Sequence, residues 1–318
     1  MSLAGKQAVV VGGTAGIGRG VAVRLARAGC AVTIVGRSES RGARVIAEME
    51  AAAAAAADGE EKTAASTPSS FFFFVRCDCF LLKNVAACVG TLKSKHPRLD
   101  YLICTQGMAT LQGFTPSQDE GLDQKLTLHV YSRAMFARGL KENLGASTDG
   151  RFLTVLSAGI HAPFKDYAAD PELSKGGYSI KNAADIAGFY SDIFVDAFSR
   201  KYGSTGNGVS FLHAAPGFVA TAWGTEMPGP IRGCVRCLQC CMGRSRNACG
   251  DYMVRALTHP GYSRSADSIE FGNGTSFFLI DEYGNNKQKV TALHEEAREQ
   301  VAAGIEAVLD AGKSVVAT

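Results

Sequence analysis

Val9-Val-Val-Gly-Gly-Thr-Ala-Gly-Ile-Gly18 lies near the start of the chain and decides its fold. The apolar run up to Val11 reads as a buried parallel strand, and Val21, Val23, Leu25 and Ala26 recur at helical spacing behind the glycines. A strand, a tight glycine turn and a helix make a cradle for a diphosphate. Gly12, Gly16 and Gly18 let the backbone approach the anion, while the first helical turn aims free N–H groups and its positive dipole end at it. Thr14, Ala15 and Ile17, between these glycines, join them as candidate dinucleotide-binding residues. The flanking strand and helix are the context that raises such a motif above a chance glycine turn.

Further strand and helix patterns alternate outward from this point. Residues 30–35 read as the second strand, followed by a helix over about 40–49 that runs into seven alanines at 51–57. Residues 58–70 are polar and small and include Pro68, so 51–70 is expected to be a flexible surface insert. Four consecutive phenylalanines, 71–74, suit a third strand covered on both faces. Residues 100–104, 152–157, 209–214 and 277–280 read as the remaining strands. Ser117-x-x-Glu120 has the form of a capping box opening a long helix to about Asn143, and 294–309 is an amphipathic closing helix. With 318 residues, 46% apolar and 20% charged, the expectation is a single α/β domain with a doubly wound parallel sheet over 1–318.

A formal net charge of +3 excludes a charge-driven nucleic-acid or membrane partner, and no apolar run reaches the ~20 residues needed to span a bilayer. The first strand begins too early to leave room for a secretory leader, and Val-Val-Ala-Thr at the end is not a retention or peroxisomal signal. Ten cysteines without an export signal read as reduced thiols, so a cytoplasmic location is expected.

Taken together the landmarks resemble the short-chain dehydrogenase/reductase family, with its Rossmann fold and variable substrate lid, here 218–268. The glycine turn matches the family's Thr-Gly-x-x-x-Gly-x-Gly, with Gly12-Gly13 in place of the leading pair. Asp78, with Cys79 beside it, falls where the family's adenine-contacting aspartate stands. Thr105-Gln106-Gly107 occupies the place of the Asn-Asn-Ala-Gly segment and keeps only the glycine. Pro216-Gly217-Phe218-Val219-Ala220-Thr221 matches the Pro-Gly-x-x-x-Thr segment that lines the nicotinamide, which assigns Pro216, Gly217, Val219 and Thr221 to the cofactor. Retinol-dehydrogenase-like members carry a Gly-Tyr-Ser stretch like Gly177-Tyr178-Ser179. Residues at the end of the second strand choose the cofactor: an acid there would repel a 2′-phosphate, whereas this chain offers Arg37 and Ser38. A guanidinium pairs well with phosphate, so NADP(H) is preferred over NAD(H).

Redox members of the family use a serine, a tyrosine, a lysine four residues on, and a helix asparagine. The tyrosine needs a nearby cation because a free phenol titrates near 10. Ser157 matches the serine, and His129 stands where the asparagine is expected. The nearest pair is Tyr178 and Lys181, three residues apart, on one face if helical. Counting back from Pro216 instead puts the tyrosine position at Ala184 and the lysine position at Gly188. Two readings stay open, beside a third in which the same cofactor scaffold serves a different reaction. One is an NADP(H)-dependent oxidoreductase using Ser157, Tyr178, Lys181 and His129 on a carbonyl or alcohol of an apolar small molecule. The other is a cofactor-binding pseudo-enzyme that senses or binds a partner.

Phe114, His161, Phe164, Tyr167, Trp223 and Met227 stand in the loops expected to shape the pocket. Cys234-x-x-Cys237-x-x-Cys240-Cys241 has ferredoxin-like spacing without its fourth, proline-linked ligand, and reads as an amphipathic lid helix with no metal. The family resemblance also implies a homodimer through helices over 119–143 and 183–200.

Overall fold

The computed structural model describes residues 2–57, 71–221, 228–264, 276–287 and 290–314. Among these, seven parallel strands form one sheet: β1 (Gln7–Val11), β2 (Ala31–Gly36), β3 (Phe72–Arg76), β4 (Tyr101–Cys104), β5 (Gly150–Val155), β6 (Val209–Ala214) and β7 (Phe277–Ile280). Their order is β3-β2-β1-β4-β5-β6-β7, with Val9 level with Thr33 on one side and Leu102 on the other. This is the doubly wound parallel sheet that the alternating patterns predict. The chain reverses direction across the sheet between β1 and β4, which opens a crevice at the carboxyl ends of those two strands.

Strand residues alternate between two cores, as the pleat requires. Val9, Val11, Leu102, Cys104 and Phe152 face α3 (Leu82–Lys95), α5 (Ser132–Gly139), α7 (Ile180–Tyr202) and α10 (Ala292–Ser314). Ala8, Val10, Tyr101, Ile103 and Leu153 face α1 (Gly16–Arg27), α2 (Glu39–Ala57) and α9 (Arg246–Thr258). α10 lies across α7, α3 and α5 and buries Ala297, Val301, Ile305 and Leu309 at a spacing of four. Arg138 of α5 pairs with Glu306 and Asp310, while Arg298 pairs with Asp196 of α7. α10 thus packs on α7 and α5, which overlap the helix ranges over which the family resemblance implies a homodimer.

Several sequence expectations are corrected. The alanines 51–57 belong to α2, and only 58–70 of the expected insert lie outside the described residues. β3 is the sheet edge, and its phenylalanines are not covered on both faces: Phe72 is buried, Phe73 is exposed, and the Lys95 ammonium sits 3.3 Å from the Phe73 ring centroid. Ser117 and Glu120 form no capping box. Glu120 instead accepts from the backbone N–H groups of Leu82 and Lys83, both at 2.8 Å, and so caps α3. The helix after it opens at Asp123, whose Oδ1 accepts from Lys125 N and Leu126 N. It then runs through α4 (Gln124–Leu126), a π-helical turn (Thr127–Tyr131), α5 and α6 (Lys141–Gly145).

The region expected to be a lid divides in two. α8 (Gly229–Met242) carries Cys234, Cys237, Cys240 and Cys241, all exposed. α9 belongs to the core. A Cβ at Gly20 would lie 2.3 Å from the Arg246 carbonyl oxygen and one at Gly250 would lie 2.6 Å from the Gly20 carbonyl, so α1 and α9 touch backbone to backbone. Cys249 is buried there.

Candidate functional site

The glycine turn, the end of β4 and the segment after β6 converge on the crevice. Gly12 and Gly16 have φ of +79° and +54°, conformations that favour glycine. A Cβ at Gly12 would stand 2.7 Å from both Thr105 Oγ1 and Gln106 N, and one at Gly18 would stand 2.3 Å from Thr105 Oγ1. Thr105 Oγ1 donates to Val11 O at 2.9 Å, which fixes it in that position. Thr221 reaches Gly16 from the other side, its Cγ2 3.6 Å from the Cβ position, and its carbonyl accepts from Arg236 at 2.9 Å. Ala15 precedes α1 without a side-chain cap bond, which leaves the first amides of that helix for a ligand anion. Ile17 packs against the core behind the turn.

At the outer rim Thr14 packs on Gly36, 2.8 Å from its Cβ position. Arg37 lies over the Phe80 ring with its guanidinium carbon 5.1 Å from the centroid, and Ser38 Oγ accepts from Arg41 N at 3.4 Å. Asp78 Oδ1 accepts from Phe80 N at 3.2 Å, and the Cys79 thiol is buried 3.9 Å from Cys77 Sγ. The inner rim holds Pro216, then Gly217 with φ +67°, then Val219, which is buried and bridges to Arg244.

The loop after β4 is held from beneath by the helix that crosses it. The Arg133 guanidinium, 1% exposed, donates to the carbonyls of Gln106, Val155 and Cys104 and to Thr154 Oγ1. Burial lowers its pKa to about 10 without removing its charge at neutral pH. One turn earlier, His129 Nε2 accepts from Met108 N at 3.0 Å. Desolvation, with the charges of Arg133 and Lys125, pushes His129 down to about 3, so it is a neutral acceptor. Gly107 lies against it, 3.3 Å from Nε2 to the Cβ position. The Gln106 amide donates to Ser132 Oγ at 3.2 Å, and its Oε1 is buried without a protein partner among the described residues. This orphaned acceptor and the glycine cradle are what a dinucleotide would fill.

Ser157, just beyond β5, is buried, and its Oγ has no partner among the described residues. Its backbone N–H donates to His213 Nε2 at 3.2 Å, and His213 Nδ1 sits 2.6 Å from Asp192 Oδ1. Asp192 also accepts from Gly159 N at 3.1 Å and faces His294 Nε2 at 3.5 Å. Burial alone would raise its carboxyl, but the two imidazoles outweigh that and hold it below the usual carboxylate range. No motif or periodicity in the sequence marks Arg133 or this buried network.

Tyr178 and Lys181 have separate partners. Tyr178 lies in the loop before α7, with its hydroxyl donating to Gln112 O at 3.4 Å and its ring edge-on to Phe114. Desolvation, with Asp123, pushes its hydroxyl up to about 12, away from the range of a general base. The Lys181 ammonium pairs with Asp185. The helix residue against Ser157 is Gly188, whose Cβ position is 3.0 Å from Ser157 Oγ. Of the residues expected to shape the pocket, Phe164 and Tyr167 are buried in the core, Phe114 is exposed against Tyr178, His161 lies against Gly188, and Trp223 and Met227 lie outside the described residues.

No helix of the described residues is long and apolar enough to cross a membrane. Over 227 residues, 70% of its length, the chain is 29% identical to oxidoreductase AN1596 of Emericella nidulans, spanning 62% of that protein. Over 100 residues, 31% of its length, it is 36% identical to a 3beta-hydroxysteroid dehydrogenase of Mediterraneibacter gnavus, spanning 30% of that protein. The fold resembles that of a Shigella flexneri short chain dehydrogenase complexed with NADP, at TM-score 0.57 and 16% identity, covering 88% of this chain and 98% of that one. A sequence profile of the short chain dehydrogenases matches residues 6–169, and the chain belongs to that family.

Proposed function

We propose that the protein is an NADP(H)-dependent oxidoreductase of the cytosol that interconverts a carbonyl and an alcohol on an apolar small molecule. One observation carries this reading. The cradle formed by Gly12, Gly18, Thr105 and Thr221 lies at the carboxyl ends of β1 and β4, and the adjacent strand β5 brings up Ser157 Oγ, buried and without a partner among the described residues. When bound, the dinucleotide supplies hydride chemistry at its nicotinamide ring. The chain's own residues do the rest. Amides at the start of α1 hold the diphosphate, and Arg37 and Ser38 receive the 2′-phosphate. Asp78 contacts the adenine, and Pro216, Gly217 and Val219 line the nicotinamide. Ser157 Oγ donates to the substrate oxygen, and the exposed apolar side chains of Leu111, Phe114 and Ile160, in the loops after β4 and β5, suit an apolar substrate. The hydroxysteroid named for one relative is such an apolar alcohol.

A second reading, binding without turnover, draws on the separation of Tyr178 from Lys181. Fluorescence titration with NADPH and NADH, followed by a panel of ketones, aldehydes and secondary alcohols, tests both. NADPH binding with NADPH-linked turnover is expected. Equal affinity for the two cofactors would refute the cofactor assignment, and tight binding with no turnover on the panel would favour the second reading.

A further inference from the structure

If the tyrosine does not reach the substrate oxygen, another group has to move the proton, and the structure holds one beside Ser157. His161 follows Ser157 by four residues in the loop after β5. A Cβ at Gly188 would stand 2.8 Å from His161 Cδ2 and 3.0 Å from Ser157 Oγ, so the imidazole edge and the free hydroxyl flank one point. Any side chain at 188 would occupy that point. Behind the ring, His161 Nδ1 is 3.3 Å from Asp185 Oδ1, and the other oxygen of Asp185 takes the Lys181 ammonium. The carboxylate thus stands beside Nδ1 at ion-pair distance, while Nε2 makes no hydrogen bond among the described residues. At 31% side-chain exposure the ring also reaches solvent, where a proton can be replaced.

We propose that His161 is the acid/base residue of this site, oriented by Asp185, with Lys181 as a positioning residue for that carboxylate. The proposal rests on the oxidoreductase reading and names its proton donor. In the reducing direction a hydride from the reduced nicotinamide dinucleotide forms the new C–H bond at the carbonyl carbon. The carbonyl π pair moves onto oxygen, which Ser157 Oγ hydrogen-bonds. That oxygen then takes the proton from His161 Nε2, leaving an alcohol, an oxidised dinucleotide and a neutral imidazole that keeps its proton on Nδ1 against Asp185. Oxidation of the alcohol runs the same transfers backwards. Imidazole suits the task because its ordinary titration range lies near neutrality, where a free phenol is fully protonated. Gly188, at the position where the family resemblance implies a lysine, is what makes room for the ring.

The test combines turnover with a readout that needs no substrate. His161→Asn should lower kcat by about 10²–10⁴-fold while the Kd for NADPH changes by less than about threefold. Added imidazole should restore part of the turnover of His161→Gly. In protein carrying ¹⁵N-labelled histidine, neutral His161 should be the Nδ1–H tautomer. Asp185→Asn should shift it towards Nε2–H, and saturating NADP⁺ should move its ring signals. Undiminished turnover in His161→Asn would overturn the proposal and leave the oxidoreductase reading standing. An Nε2–H tautomer in the unmutated protein, indifferent to Asp185→Asn, would also overturn it. If the unmutated protein reduces nothing on the panel, the oxidoreductase reading fails instead, and ring signals unmoved by NADP⁺ would then reject His161 as a site residue.

Discussion

Arg133→Met should loosen the cofactor crevice from below. The guanidinium is the shared donor for the ends of β4 and β5. It meets Thr154 Oγ1 at 2.6 Å, Val155 O at 2.9 Å and Cys104 O at 3.4 Å, and it also bonds the Gln106 carbonyl. Methionine fills similar space but donates nothing, so these buried acceptors lose a partner at about 1–3 kcal/mol each. Against that stands the relief of no longer burying a charge, worth several kcal/mol. The net loss expected is about 2–5 kcal/mol, or roughly 3–7 °C in melting temperature for a chain of this size. Because Gln106-Gly107 and Ser157 sit just beyond the two strands, NADPH affinity should fall with stability. Thermal unfolding followed by circular dichroism, with parallel fluorescence titration, measures both. A melting temperature within about 2 °C of the unmutated protein, with NADPH binding intact, would refute the view that Arg133 sustains the crevice.

Replacing Arg37 by Asp should weaken NADPH far more than NADH, by about 1–3 kcal/mol, and parallel titrations of the two cofactors would show it. Glu120→Ala should remove the cap shared by Leu82 N and Lys83 N, lowering stability in denaturant unfolding by about 0.5–2 kcal/mol. Burial, with Lys95, pushes His96 down to about 4 in the folded chain. The unfolded chain therefore binds the extra proton first, and stability should fall as pH drops from about 6.5 towards 4, by up to ~1.4 kcal/mol per pH unit. Urea midpoints across that range should flatten in a His96→Gln protein.

Glycine requirements were the most legible part of the chain because they are local. A left-handed turn at Gly12 and a close approach at Gly18 leave few residue choices, so the cradle can be read from ten letters. Ser157 was legible for a related reason: it ends an apolar strand. Contacts across the fold were not. Glu120 carries the form of a box for its own helix, yet it caps α3 thirty-odd residues earlier, because tertiary packing brings that helix start within reach. The phenylalanines of β3 read as covered on both faces, but Phe73 is exposed, because cover depends on which helices pack over the strand, which composition does not record. Arg133 looks like a solvated helix residue until the sheet places three carbonyl groups around it. The pairing of Lys181 with Asp185, and of Asp185 with His161, joins a helix to a loop whose path no periodicity specifies. A serine followed four residues later by histidine was the signal available, and it pointed nowhere without Gly188 beside it.

α10 has a consequence for how the molecule behaves on dilution. Ala297, Val301, Ile305 and Leu309 cover α7 and its neighbours from within the same chain. Tethering fixes the local concentration of that cover, so its protection of the helix face is independent of how much protein is present. A face sealed by a second molecule would instead open as the protein is diluted. Removing α10 should uncover this face, and any rise of the melting temperature with concentration should then be steeper than in the full chain.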